Sequence, residues 1–190
     1  VSNIRQLIEY DHRNPKGAGS NIEEKLFLFG LLRMIKPSRV LEIGVSRGHM
    51  TAWLALALHM NGKGELVSVD NFSKAHGGQA ASCEPARTRV RANGMRSPTF
   101  VTSDSVAYLT SQPDDSFDVV WVDGDHSYDG ARADIVESLR VASKVVCVHD
   151  TSQLYSGPRD AIADVLRDRQ EDGSGFWVKG CRGIWIRNVD

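Results

Sequence analysis

Five short apolar runs, one closed by a glycine and four by an aspartate, recur along the chain: RVLEIG, LVSVD, PTFVTSD, SFDVVWVD and KVVCVHD. Runs this short and this apolar predict strands buried on both faces. Helical segments separate them. NIEEKLFLFGLLRMIK (21–36) predicts a helix with Asn21 or Ser20 as N-cap and Pro37 as its stop. Further helices are expected from about Met50 to Met60, over EPARTRVRANG up to Gly94, over VAYLTSQ and ARADIVESLRVA, and over PRDAIADVLRDRQ with Pro158 near its first turn. Parallel neighbours need long crossovers, and helices supply them, so the alternation predicts an α/β fold on a parallel sheet. The tail GFWVKGCRGIWIRNV alternates about KGCRG and predicts a β-hairpin. That hairpin adds a sixth and a seventh strand, one of them antiparallel.

The 190 residues fit one domain, read as an N-terminal helical segment (1–36) and a core (37–190) without repeats or linkers. A net charge of −1 gives no reason to expect a nucleic-acid partner. No apolar run approaches the roughly 20 residues that span a bilayer, so no membrane role is expected. The start, VSNIRQLIEYDHRN, lacks the long apolar core of a signal peptide. The three cysteines, Cys83, Cys147 and Cys181, are far apart and share no metal-binding spacing. A reducing, cytoplasmic setting is the expectation. Arg87, Arg89, Arg91 and Arg96 read as an exposed helix face, Trp121 and Trp185 as core, and SKAHGGQAAS (73–82, with His76) as a loop.

The polar residues at the strand ends are the candidate site, because open α/β sheets bind ligands at the carboxyl ends of their strands. The turn after the first strand reads Glu42-Ile-Gly44-Val-Ser46-Arg47-Gly48, an ExGxxxG spacing that differs from the dinucleotide pattern GxGxxG. Small residues there let the backbone approach a ligand, although Gly48 would equally serve helix packing. Asp70 closes the second strand, where an acid can accept hydrogen bonds from ribose hydroxyls. Ser103-Asp104-Ser105 closes the third and offers partners for an adenine amino group, with Asp104 equally suited to cap a helix. After the fourth strand, WVDGDHSYDG gathers Asp123, Asp125, His126 and Asp129 within seven positions. Asp125 either orients His126 or makes the turn, and Asp129 with Gly130 reads as a turn and helix cap.

VLEIGVSRG, VSVD, TSDS and FDVVWVDGDH, in this order and spacing, resemble the class I S-adenosylmethionine-dependent methyltransferases over roughly residues 20–188. The resemblance implies a three-layer Rossmann-like sandwich whose seven-stranded sheet has an antiparallel last strand. It implies that Gly44, Ser46 and Gly48 hold the methionyl end of the cofactor with support from Glu42. Asp70 with Asn71 beside it would bind the ribose, Ser103 and Asp104 would meet the adenine, and Asp123 would face the cofactor. Within that class the chain is similar to the cation-dependent O-methyltransferases of the catechol type and the related natural-product and sugar enzymes. These carry an aspartate after the fourth strand and an acid–acid or acid–amide pair after the fifth. The likeness implies a divalent-cation site, Mg²⁺ or Mn²⁺, at Asp123, His149 and Asp150, with His149 standing where an acid is usual. His126 falls three residues after Asp123, where the catechol-type enzymes have a basic lysine, and becomes the candidate general base alongside Asp123.

The expected activity is methyl transfer to a hydroxyl of a small molecule. Specificity would come from loops 10–21, 73–82 and 151–158, the last including Tyr155, Ser156 and Gly157, or from a second copy of the chain in a homo-oligomer. Rival readings are a metal-independent methyltransferase with a histidine base, a non-catalytic S-adenosylmethionine-binding module, and a nicotinamide-dependent oxidoreductase, which the missing GxGxxG disfavours.

Overall fold

The computed structural model describes residues 4–13, 21–73, 82–152, 156–171, 175–178 and 183–189. Along the chain these form α1 (Ile4–Arg13), α2 (Ile22–Ile35), β1 (Arg39–Ile43), α3 (His49–Asn61), β2 (Glu65–Asp70), α4 (Glu84–Ala92) and β3 (Thr99–Thr102). They continue with α5 (Ser105–Thr110), β4 (Phe117–Val122), α6 (Tyr128–Val141), β5 (Ala142–His149), α7 (Ser156–Asp168), β6 (Phe176–Val178) and β7 (Ile184–Asn188). The loop expected at 73–82 falls largely outside the described residues, as do 14–20, Tyr155, Cys181 and the KGCRG turn.

The sheet has seven strands in the order β3-β2-β1-β4-β5-β7-β6. β1 to β5 pair in parallel, and β7 runs antiparallel to both β5 and β6. This is the α/β fold on a parallel sheet expected from the strand pattern, and the three-layer seven-stranded sandwich that the resemblance implies. Its two faces are both apolar because alternate residues of each strand feed different layers. In β4, Val119 and Trp121 pack with α1 to α4, while Val120 and Val122 pack with α5 to α7, joined there by Phe117 across a register shift between Phe117 and Val119. Trp53, Trp121 and Trp185 are fully buried, as is Cys147. Among the described residues no helix is long and apolar enough to cross a membrane.

Helix ends follow side-chain chemistry. Asn21 caps α2 in a reciprocal box, its side chain accepting from the Glu24 amide while Glu24 accepts from the Asn21 amide. Two local expectations need correction. α6 is capped by Ser127, whose Oγ accepts from the Gly130 amide at 3.2 Å, so Asp129 lies inside the first turn and is not the cap. Arg89 is not on an exposed face: it is buried, at 6% exposure, on the side of α4 that meets α1 and α3.

The chain builds β1, β2 and β3 outward in one direction and then returns to place β4 on the other side of β1. The strand order therefore reverses between β1 and β4, and the crevice at such a reversal is where open α/β sheets bind ligands.

Candidate active site

At that reversal the two strand ends touch. Gly44 has φ +88°, and a Cβ there would lie 1.9 Å from the Asp123 carbonyl oxygen. No side chain fits. The turn that follows is held by Asp70 from the neighbouring strand, whose Oδ2 accepts from the amides of Val45 (2.8 Å) and Ser46 (2.9 Å). Its Oδ1 accepts from the Phe72 amide at 2.8 Å. Three of the roughly four lone-pair sites of the carboxylate are thus used, and Oδ1 keeps one for a ribose hydroxyl. Gly48 carries a packing role as well: its φ is +73°, and a Cβ would come within 2.2 Å of the Ala86 Cβ on α4.

Glu42 lies beneath this turn, fully buried, accepting from Thr51 Oγ1 (3.0 Å) and Ser68 Oγ (2.6 Å). Burial outweighs those hydrogen bonds and pushes its carboxyl up to about 8. Asn71 closes its own turn by accepting from Ser73, and Ser103 donates to the Asp104 carbonyl. Asp104 caps α5 by accepting from the Ala107 amide at 3.0 Å.

The second half of the site comes from the ends of β4 and β5, which are parallel neighbours. Asp123, His126 and Asp150 each offer one ligand atom, and these atoms lie within 4.8 Å of one another. His126 Nε2 is 3.4 Å from Asp123 Oδ1 and 3.2 Å from Asp150 Oδ2. The N-terminus of α7 presses on this turn, since a Cβ on Gly157 would sit 2.1 Å from the His126 carbonyl oxygen. Asp125 makes the turn by accepting from the Ser127 amide at 2.9 Å. Asp150 is fully buried, with φ +54°, a left-handed backbone that a non-glycine residue adopts only where its surroundings hold it.

His149 takes a different place from the one expected of a ligand. Its Nδ1 is 3.0 Å from Asp123 Oδ1, and its Nε2 is 3.0 Å from Glu24 Oε2 on α2. Both ring nitrogens thus face carboxylates, and Nδ1 also lies 3.5 Å from Asp150 Oδ1, so His149 borders the cluster that Asp123, His126 and Asp150 form. Burial alone would lower the His149 pKa, but the charge of Asp123 and the hydrogen bonds to Asp123 and Glu24 raise it well above the ordinary value. For Asp123, burial is outweighed in turn by the His149 charge and the hydrogen bonds from His126 and His149, which hold its carboxyl low.

Sequence reasoning missed three groups, two of them buried and Asp11 partly so. Glu24 was legible in principle, because Asn21-x-x-Glu24 has capping-box spacing, but nothing local announces its contact with His149. Asp11 on α1 accepts from Arg89 (2.8 Å), Trp53 (2.9 Å) and Lys25 (3.0 Å), with His49 Nδ1 at 3.3 Å, and so ties α1 to α2, α3 and α4. Asp134 on α6, at 1% exposure, accepts from Ser105 Oγ at 2.6 Å, and burial pushes it up to about 6.

The methyltransferase domain family matches residues 41–151, more than half of the chain and all of the strand-end residues described above. An O-methyltransferase from Bacillus cereus, solved with S-adenosylhomocysteine, superposes with a TM-score of 0.68 at 16% identity, over 98% of this chain and 90% of its own. TomG, an O-methyltransferase of tomaymycin synthesis from Streptomyces achromogenes solved with S-adenosylmethionine, gives 0.65 at 18% identity over 96% and 86%. The S-adenosylhomocysteine-bound methyltransferase PaMTH1 from Podospora anserina gives 0.72 at 14% identity over 100% and 90%. No curated protein matches the chain at significant sequence similarity. The fold and the matched segment define a methyltransferase. The chain belongs to the methyltransferase domain family and has the class I architecture of the S-adenosylmethionine-dependent enzymes.

Proposed function

We propose that the protein transfers the methyl group of S-adenosylmethionine to a hydroxyl of a small molecule, assisted by a divalent cation held by Asp123 and Asp150. The convergence of two carboxylates and the His126 imidazole from adjacent strand ends, beside the Gly44 turn, carries this reading. The two carboxylates suit the ion, since Mg²⁺ and Mn²⁺ prefer oxygen donors, and this leaves the His126 imidazole to act as base. The O-methyltransferase activity of the Bacillus cereus and Streptomyces achromogenes proteins of the same fold supports the oxygen acceptor.

In such a transfer the acceptor oxygen forms a bond to the methyl carbon as the carbon–sulfur bond breaks, and the thioether leaves. A bound divalent cation would lower the pKa of a coordinated hydroxyl, as it does for water. The protein's own residues then supply three things. The Gly44 turn admits the methionyl end against bare backbone. Asp70 holds that turn and offers acceptors to the ribose. His126 Nε2 takes the acceptor's proton.

The test combines calorimetry with S-adenosylhomocysteine and turnover of a panel of catechols with and without EDTA. Tight binding, suppression by EDTA and restoration by Mg²⁺ or Mn²⁺ are expected. Asp123→Asn and Asp150→Asn should abolish the restoration; retention of cation dependence in both would exclude these ligands. One observation favours a second reading. The His126 imidazole already spans both carboxylates, an arrangement that serves a metal-independent transfer with His126 as base. Turnover unaffected by EDTA would select it.

A further inference from the structure

We infer that Glu24 is a positioning residue of this site: acting through His149, it fixes the carboxylate of Asp123 from a helix that contributes nothing else to the strand-end cluster. The inference rests on the proposed function for its chemistry.

The relay joins residues far apart in the chain. His149 is buried at the end of β5, its ring tilted against the fully buried Trp121 with centroids 5.2 Å apart. Each ring nitrogen lies 3.0 Å from a carboxylate oxygen, Nδ1 from Asp123 and Nε2 from Glu24, so both are placed to donate. Glu24 is itself immobilised, because the same Oε2 that meets His149 also accepts from the Asn21 amide at 3.1 Å. The chain of contacts therefore runs from the N-terminus of α2, a rigid helix end, to the carboxylate that closes β4.

The consequence falls on Asp123. The terminal torsion of an aspartate is soft, so a carboxylate at a strand end does not by itself choose which oxygen faces a ligand. Here Oδ1 receives His149 and lies 3.4 Å from His126 Nε2. Among the described residues the hydrogen bonds and ion pairs of Asp123 all fall on Oδ1, which leaves Oδ2 to a ligand. Metal-ligating groups elsewhere depend on such outer partners, and loss of one typically weakens metal affinity or activity by about 10- to 100-fold. His149 thus serves the site as the support of a ligand rather than as a ligand.

Glu24 also completes the cap of α2, so the experiment has to separate orientation from helix stability. Mn²⁺ alone is titrated calorimetrically into the wild-type chain and into Glu24→Ala, Glu24→Gln and Asn21→Ala, with S-adenosylhomocysteine affinity as a check on the cofactor turn. Glu24→Ala should weaken Mn²⁺ by about 10- to 100-fold with S-adenosylhomocysteine bound as before. Glu24→Gln should recover most of the loss, since its amide oxygen can accept from both His149 and the Asn21 amide. Asn21→Ala removes the other half of the cap and should lower the melting temperature without weakening Mn²⁺. Wild-type affinity in Glu24→Ala, or equal weakening in Asn21→Ala, overturns the inference. If the wild-type chain takes up no Mn²⁺, the cation part of the proposed function fails, and the ¹⁵N-observed His149 ring decides the relay. Glu24→Ala must then displace the same Nδ1–H resonance that Asp123→Asn displaces, and an undisturbed resonance overturns it.

Discussion

Gly44 and Asp123 meet backbone to backbone: a Cβ on Gly44 would lie 1.9 Å from the Asp123 carbonyl oxygen and 2.5 Å from its carbonyl carbon. The turn after β1 and the cluster at the end of β4 are therefore one rigid unit. Gly44→Ala forces both an overpacked contact and a left-handed backbone at φ +88°. The expected loss of stability is at least about 2 kcal/mol, measured by urea denaturation. A variant within about 0.5 kcal/mol of wild type would mean that the two strand ends can separate at little cost.

Asp70 anchors the other side of the turn. Asp70→Ala removes three hydrogen bonds from backbone N–H groups, made to its two carboxylate oxygens, together with the proposed ribose partner. S-adenosylhomocysteine affinity should fall by at least about tenfold, since a hydrogen bond to a charged group is worth about 1.5–3 kcal/mol. Asp70→Asn keeps an amide oxygen for Val45 and Ser46 but lacks the charge, so it should preserve the melting temperature and still bind weakly. Calorimetry showing unchanged affinity in both variants would place the ribose elsewhere.

Glu42 makes stability depend on pH. Its carboxyl is raised from 4.5 to about 8, so the folded chain holds a proton that the unfolded chain releases. The resulting stability is complete below 4.5 and is lost as pH climbs through about 8. Glu42→Gln removes this titration. Its melting temperature should decline less than that of wild type between about pH 5 and pH 9, a comparison made by calorimetry across that range. Parallel curves for the two proteins would show that Glu42 is charged in the fold.

The strands and the first turn were legible because each rests on a local pattern: an apolar run long enough for one strand, then glycines at turn spacing. The expectation at Asp129 failed where two good caps lie two residues apart, and geometry chose Ser127. Arg89 shows a deeper limit. In EPARTRVRANG its side chain looks the same as those of Arg87 and Arg91, and only packing against Asp11, 78 positions earlier, makes it a buried cation. His149 is similar, for a histidine at a strand end reads as a ligand until a carboxylate 125 positions away claims its second nitrogen. Charge pairs between distant elements leave no periodicity, so sequence reading assigns them to the surface by default.

Asp11 carries the prediction that follows from this. Burial works against its charge, but hydrogen bonds from His49, Trp53 and Lys25 hold the carboxyl far below its ordinary 3.8. The stability it contributes is therefore full above 3.8 and lost as pH falls below that value. Asp11→Ala leaves Lys25 and Arg89 buried without their shared anion, which typically costs about 3–5 kcal/mol. Urea denaturation near neutral pH should show that loss, and α4 should lose amide protection in hydrogen exchange. A variant as stable as wild type would mean that water replaces the carboxylate.

His126 carries the last prediction, because its Nε2 lies within 3.4 Å of Asp123 and 3.2 Å of Asp150 on the exposed side of the cluster. Its side chain is 39% exposed, so a substrate can reach it. The hydrogen bond to Asp123 is the main reason that its pKa is raised above the ordinary 6.5, with the charges of Asp123 and Asp150 adding to it. A base must be unprotonated to act, so activity should fall on the acid side of the rate profile. Stability moves the opposite way: the raised pKa contributes most below 6.5 and fades as pH rises. His126→Ala should lower kcat by about 100- to 10,000-fold, remove the acid limb and leave S-adenosylhomocysteine affinity unchanged. If the variant keeps more than about a third of wild-type kcat with the limb in place, His126 is a turn residue and the proton leaves by another route.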